Sequence, residues 1–146
     1  MRSMALRKLL VALVVALAST ATESPAQRPD QSAVPAGLVG TKWRLVEFDG
    51  AAPEPDLPSV TLAFGPARAE GSGGCNWFSA WLEFTDGQRV AVPYLTATRR
   101  DCMHPRIMDL EARYLGALET LESYRLDGDR LVLASATSPN LAFRRE

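Results

Sequence analysis

Pro105-Arg106-Ile107-Met108-Asp109-Leu110-Glu111-Ala112-Arg113-Tyr114-Leu115-Gly116-Ala117-Leu118-Glu119-Thr120-Leu121 is the stretch on which the fold turns. Its apolar positions Ile107, Leu110, Tyr114, Leu115, Leu118 and Leu121 step by three, four, one, three and three, which describes one face of a helix. Pro105 suits the first turn, where a missing N–H costs nothing. Asp109, Glu111, Arg113 and Glu119 are read onto the remaining, solvated surface. No other segment beyond the N-terminal region has a helical period. The apolar stripe is read as core, against the alternative of a membrane-surface or partner helix, because strands on either side need their own apolar face covered. Strands, one helix, then strands imply an α+β domain whose strongly curled antiparallel sheet wraps around one packed helix.

Working outward, Lys42 to Phe48 reads as a strand with Trp43, Leu45 and Glu47 on one face and Arg44, Val46 and Phe48 on the other, ended by an Asp49-Gly50 turn. Prolines at 53, 55 and 58 make residues 52 to 58 a loop. Val60, Leu62 and Phe64 alternate with Thr61 and Ala63 as a second, half-buried strand. Gly71, Gly73 and Gly74 crowd the approach to Cys75, where the backbone is expected to take positive φ or to pass close to another segment. Phe78, Ala80, Leu82 and Phe84 form the inner face of the next strand, Asp86-Gly87 turns it back, and Arg89 to Val92 is its hairpin partner. After the helix, strands are expected at Ser123 to Leu126, Arg130 to Ala134 and Leu141 to Arg144, the first two joined by a turn at Asp127-Gly128.

The N-terminus has the layout of a secretory signal. Arg2, Arg7 and Lys8 precede an apolar run from Leu9 to Ala18. That run is too short to span a bilayer, which takes roughly 20 residues. Ser24-Pro25-Ala26 satisfies the small-x-small rule for cleavage before Gln27, and Ala16-Leu17-Ala18 is also acceptable. Residues 1–26 are therefore read as a signal peptide, 27–37 as a flexible leader and 38–146 as the folded domain. With no Cys near either cleavage position, a lipid-modified terminus is not expected, and a periplasmic or secreted location is. The full chain has 146 residues with 16 basic and 17 acidic groups; losing Arg2, Arg7, Lys8 and Glu23 leaves 13 against 16 in 120 residues. One domain of that size can bury a real core. Its scattered basic residues do not form the stripe that a nucleic-acid partner would need.

Both cysteines, Cys75 and Cys102, fall in the exported part, where an even count favours pairing. A bridge between them would restrict the unfolded chain by about 3 to 4 kcal/mol on the chain-entropy model, provided the Cα atoms lie within about 7 Å. The rival reading is a nucleophilic Cys75 or Cys102 served by His104, the single histidine, but no orienting Asn or Asp is marked. Two Cys and one His do not make a closed metal-site pattern. No catalytic residue, metal or cofactor is expected.

Four motifs in register carry a family resemblance: Gly40-Thr41-Lys42-Trp43-Arg44-Leu45-Val46; Gly71-Ser72-Gly73-Gly74-Cys75-Asn76 with Phe78-Ser79; Thr98-Arg99 with Cys102; and Ser123-Tyr124-Arg125-Leu126-Asp127-Gly128-Asp129-Arg130-Leu131. Together they resemble the META domain, the HslJ-like family, over Leu38 to Phe143. Four positions depart from the family pattern. Trp77 replaces a small polar or basic residue, Ala80 a common glycine, and Arg100-Asp101 the usual pair before Cys102. The resemblance implies an envelope-associated protein linked to stress or antibiotic tolerance, and a curled sheet similar to the cracked barrels of small lipoproteins that pilot secretin subunits. Gly74, Cys75, Asn76 and Thr98 are its motif residues, with Asn76 expected to cap neighbouring backbone.

Trp77 and Trp81 fall on the strand face opposite Phe78, Leu82 and Phe84. If that face meets water they form a candidate binding surface; the alternative is that a loop or second layer covers them. The leading expectation is an exported, monomeric, non-enzymatic protein that binds a hydrophobic peptide, lipid or protein of the envelope. The alternative is a secreted hydrolase inhibitor. An enzyme is the third reading, since no spaced acid–base pair is apparent.

Overall fold

The computed structural model describes residues 33–146, so the expected signal peptide (1–26) and the first part of the expected leader (27–37) lie outside the described residues. Eight strands and one helix follow in order: β1 Lys42–Phe48, β2 Thr61–Phe64, β3 Arg68–Ser72, β4 Trp77–Thr85, β5 Arg89–Ala97, α1 Pro105–Glu119, β6 Ser123–Asp127, β7 Arg130–Ala134 and β8 Leu141–Arg145. Each strand pairs antiparallel with the next, and β8 returns to β1, so the sheet is a closed barrel. Ahead of it Val34 is buried and donates its N–H to Pro66 O at 3.4 Å, and the Leu38 side chain is fully buried.

The strands expected from alternation are present, and their inward residues make the core. Trp43, Leu45, Leu62, Phe64, Phe78, Ala80, Leu82, Phe84, Leu131, Leu133, Leu141 and Phe143 are all buried. The charged residues of the strands are exposed or half-buried. This is the reverse of a membrane-spanning barrel, whose apolar band faces lipid.

The expectation of a sheet wrapped around a helix is corrected. The sheet closes on itself through five paired positions between β1 and β8, from Trp43↔Arg145 to Phe48↔Leu141. Helix α1 instead serves as the β5–β6 connection and packs one side inward. A helix encircled by sheet would be apolar all round, whereas α1 has one apolar stripe and exposes Arg106, Asp109, Arg113 and Glu119. Its Tyr114 ring meets Phe78 and Phe143 edge-on, with centroids 5.6 and 6.4 Å apart. Closure is thinnest where α1 lies in the connection: among the described residues, β5 and β6 share the single register pair Arg89↔Ser123.

Three local features escaped the period-two reading. In β1 the register slips between Leu45 and Glu47, and this bulge turns Phe48 inward, where strict alternation puts it outside. In β5 the strand runs past Val92 through Pro93 to Ala97, with a register shift where Trp81↔Tyr94 gives way to Glu83↔Ala91. A bulge tolerates the missing proline N–H. β3 has almost no apolar signal, and its glycine reads as a loop, yet Gly71 sits mid-strand because a Cβ there would come within 2.0 Å of Thr61 O.

Candidate functional site

Two neighbouring regions hold the residues singled out in the sequence: a buried polar node around Asn76, and the outer face of β3, β4 and β5.

The node is held together by a carboxylate. Glu111, read from sequence as a surface residue, is buried and accepts N–H bonds from Cys75 (3.1 Å) and Asn76 (2.5 Å) at Oε2, and from Asn76 Nδ2 (2.7 Å) at Oε1. The periodicity did contain the signal, since Glu111 follows Ile107 by four and precedes Tyr114 by three, inside the apolar stripe. Gly73 leaves room for it, because a Cβ there would meet Glu111 Cγ at 2.8 Å. Gly74 adopts φ +114° on the way into the loop.

Asn76 is buried and uses its full amide capacity. Its Nδ2 also donates to Arg100 O (3.0 Å), and its Oδ1 accepts from Thr98 Oγ1 (2.8 Å) and the Arg100 N–H (2.7 Å). The Arg100 guanidinium donates to Cys75 O (2.7 Å), and the Trp77 N–H donates to Thr98 Oγ1 (3.2 Å). Cys75 and Cys102 are joined by a disulfide, with Cα atoms 6.0 Å apart. The node thus ties β4, the 98–102 segment and α1 into one body. It has no free thiol among the described residues, so the nucleophilic-cysteine reading is removed. His104 is exposed at the N-cap of α1 and makes no side-chain capping bond. With no spare donor or acceptor on Asn76, the node serves as a clamp.

The outer face is different. Trp77, Trp81 and Tyr94 are 61%, 41% and 57% exposed, so the expectation that a second layer covers the tryptophans does not hold. Sheet register arranges this face in three rows. Arg68, Trp81 and Tyr94 form one; Glu70, Ser79 and Thr96 the next; Ser72, Trp77 and Thr98 the third. In the first row the Trp81 and Tyr94 rings lie 5.4 Å apart, and the Arg68 guanidinium stands 5.8 Å over Trp81 while bonding Glu70 at 2.7 Å. In the middle row Ser79 Oγ is shut off from water and has no hydrogen-bond partner among the described residues. A hollow of about 440 Å³ opens here, lined by Glu70, Trp77, Ser79, Thr96 and Thr98. Tyr94 and Arg68 were not foreseen because β3 and the second half of β5 were not.

A second concavity, about 370 Å³, lies between the 51–57 loop and the start of α1, lined by Phe48, Leu57, Leu110 and charged residues. Arg106 bridges Glu54 and Asp56 across it, and Arg113 stacks 4.6 Å over Phe48. Those bonds hold the loop to the helix.

A family model described as META domain matches residues 36–146. No curated protein matches the chain. Among solved structures, one determined by NMR has 23% identity and a TM-score of 0.62, covering 76% of this chain and 93% of its own. An NMR structure of a protein from Burkholderia xenovorans has 25% identity and a TM-score of 0.59, covering 82% and 97%. A DUF4847-family protein from Bacteroides vulgatus, solved by crystallography, has 16% identity and a TM-score of 0.51, covering 73% and 93%. These likenesses concern the fold.

Proposed function

We propose, from the premise that this chain belongs to the META-domain family, that it is an exported, non-catalytic binding protein of the bacterial envelope. Its partner is an envelope component that presents an apolar surface, and the contact is made by Trp77, Trp81 and Tyr94. The observation that carries this reading is the exposure of three large aromatic side chains on one face of a domain whose core is otherwise well filled. Aromatic residues of this kind dominate binding surfaces because they bury much area at little cost in conformational freedom. The paired cysteines, the saturated Asn76 and the exposed His104 support a binding role over catalysis. The charge-then-apolar N-terminus and the disulfide both support an oxidising compartment outside the cytoplasm. Family likeness supports a part in stress or antibiotic tolerance.

Titration of the mature chain with phospholipid vesicles, apolar peptides and envelope extracts, read by tryptophan emission, tests the proposal. Trp43 is fully buried, so any change reports Trp77 and Trp81. A blue shift or quench that Trp77→Ala and Trp81→Ala each diminish is expected. Emission unchanged by every fraction removes the aromatic-surface reading.

A further inference from the structure

The arrangement of the outer face points beyond an apolar patch. We infer that the slot between Trp77 and the Trp81–Tyr94 pair binds a neutral, β-linked polysaccharide strand, an inference that rests on the aromatic-surface reading above.

The argument starts from the middle row. Trp77 and Trp81 are four residues apart on one strand face, about 13 Å, a span of a few pyranose rings. Between them the floor is polar: Glu70 from β3, Ser79 from β4 and Thr96 from β5 stand side by side. An acyl chain laid across that floor would strip water from a carboxylate and two hydroxyls and return nothing. An anionic headgroup would meet the Glu70 carboxylate at the centre of the slot, where Arg68 is already bonded to it and Lys42 stands two strands further along the same row. A peptide that binds by strand addition needs a free sheet edge, whereas here the backbone N–H and C=O groups of the central strand β4 are engaged in ladders with β3 and β5. Side chains alone are on offer.

A pyranose chain matches what remains. Its C–H faces are apolar and stack on indole and phenol rings, while its equatorial hydroxyls point sideways, where Glu70 accepts and Ser79 and Thr96 both donate and accept. Ser79 Oγ adds to this. It is shut off from water and unpaired in the middle row, and an unpaired buried hydroxyl is destabilising until something bonds it. A rotation of Ser79 about χ1 that brings Oγ to the slot would let a ligand hydroxyl complete it. A β-linked chain keeps its rings in a flat ribbon that can lie on a sheet face, whereas an α-1,4 chain coils away from it.

The test uses the mature full-length chain with chitotetraose, cellotetraose and maltotetraose, read by tryptophan emission and by ¹⁵N chemical-shift mapping. Saturable quenching by at least one β-linked tetramer is expected, with shifts confined to β3–β5. Trp77→Ala or Trp81→Ala should weaken binding at least tenfold, and Ser79→Ala at least threefold, in variants whose circular dichroism matches the parent. Maltotetraose should bind at least tenfold more weakly. If vesicles or apolar peptides act through Trp77 and Trp81 while no tetramer does, the glycan assignment is overturned and the aromatic-surface reading stands. If no probe of any kind changes the emission, both fall. Equal binding of maltotetraose overturns the β-linked assignment.

Discussion

Glu111 is the residue on which the centre of the molecule depends. Its carboxylate accepts three N–H bonds from Cys75 and Asn76 in a buried setting, and a hydrogen bond to a charged group contributes about 1.5 to 3 kcal/mol net. Glu111→Ala should therefore cost more than about 3 kcal/mol, since it leaves those donors unpaired. Glu111→Gln should cost less, because one amide oxygen still serves two backbone N–H groups while its NH₂ opposes Asn76 Nδ2. Urea unfolding midpoints at constant slope measure both. Tyr114 makes the opposite case. Its hydroxyl is buried without a partner among the described residues, and burial pushes the phenol's pKa up. Tyr114→Phe keeps the edge-on contacts to Phe78 and Phe143 and removes the unpaired group. Unchanged or higher stability is expected by the same assay, and a loss above about 1 kcal/mol would show that the hydroxyl has a partner.

At the scale of elements, the loop between β1 and β2 is held to α1 by Arg106, which bonds Glu54 and Asp56. The hydrogen bond from Arg106 holds the Asp56 carboxyl below the usual range, and a similar bond from Arg130 lowers Glu47. A lowered folded-state pKa stabilises the fold above the ordinary carboxylate range and ceases to do so as pH falls through the lowered value. Both pairs are exposed, so the effect is local. Amide protection at residues 51 to 57, taken relative to the intrinsic exchange rate at each pH, should fall as the pH drops below about 4, or in about 1 M salt. It should fall equally in Arg106→Ala at neutral pH, with little change in β3–β5. Alternation by two was readable in β1, β2 and β4 because each buries one face on the core. It was unreadable in β3, where Arg-Ala-Glu-Gly-Ser offers one small apolar side chain and a glycine chosen for close passage past β2. It misled in β1 after the bulge, since a bulge leaves no mark in composition.

Across the whole molecule, the elements could be read locally but their closure could not. Nothing in Trp43 or Phe143 says that β1 will meet β8, because pairing at that range depends on how eight strands twist together. The helix stripe was seen correctly, but whether sheet surrounds the helix or the helix fills a gap in a barrel is decided by that closure. The candidate site divides in the same way. Trp77 and Trp81 were visible from spacing along one strand, whereas Tyr94, Arg68 and Glu70 join them only through register. Closure also makes the last strand indispensable. Ending the chain before Leu141 would remove Leu141 and Phe143 from the core and expose edges on β1 and β7. The expected outcome is loss of the cooperative transition in thermal unfolding and aggregation of the product, since open, apolar strand edges associate; a sharp transition retained in that variant would contradict the closed architecture.

The seam between β1 and β8 sets an order in time. Hairpins such as β6–β7 join neighbours and form within microseconds, but Trp43 and Arg145 are paired across almost the whole domain, and contacts so distant along the chain are slow to make. The barrel cannot lock until Phe143 has been synthesised and has found its place. On the export route proposed above, that delay would keep the chain in a transportable state during synthesis.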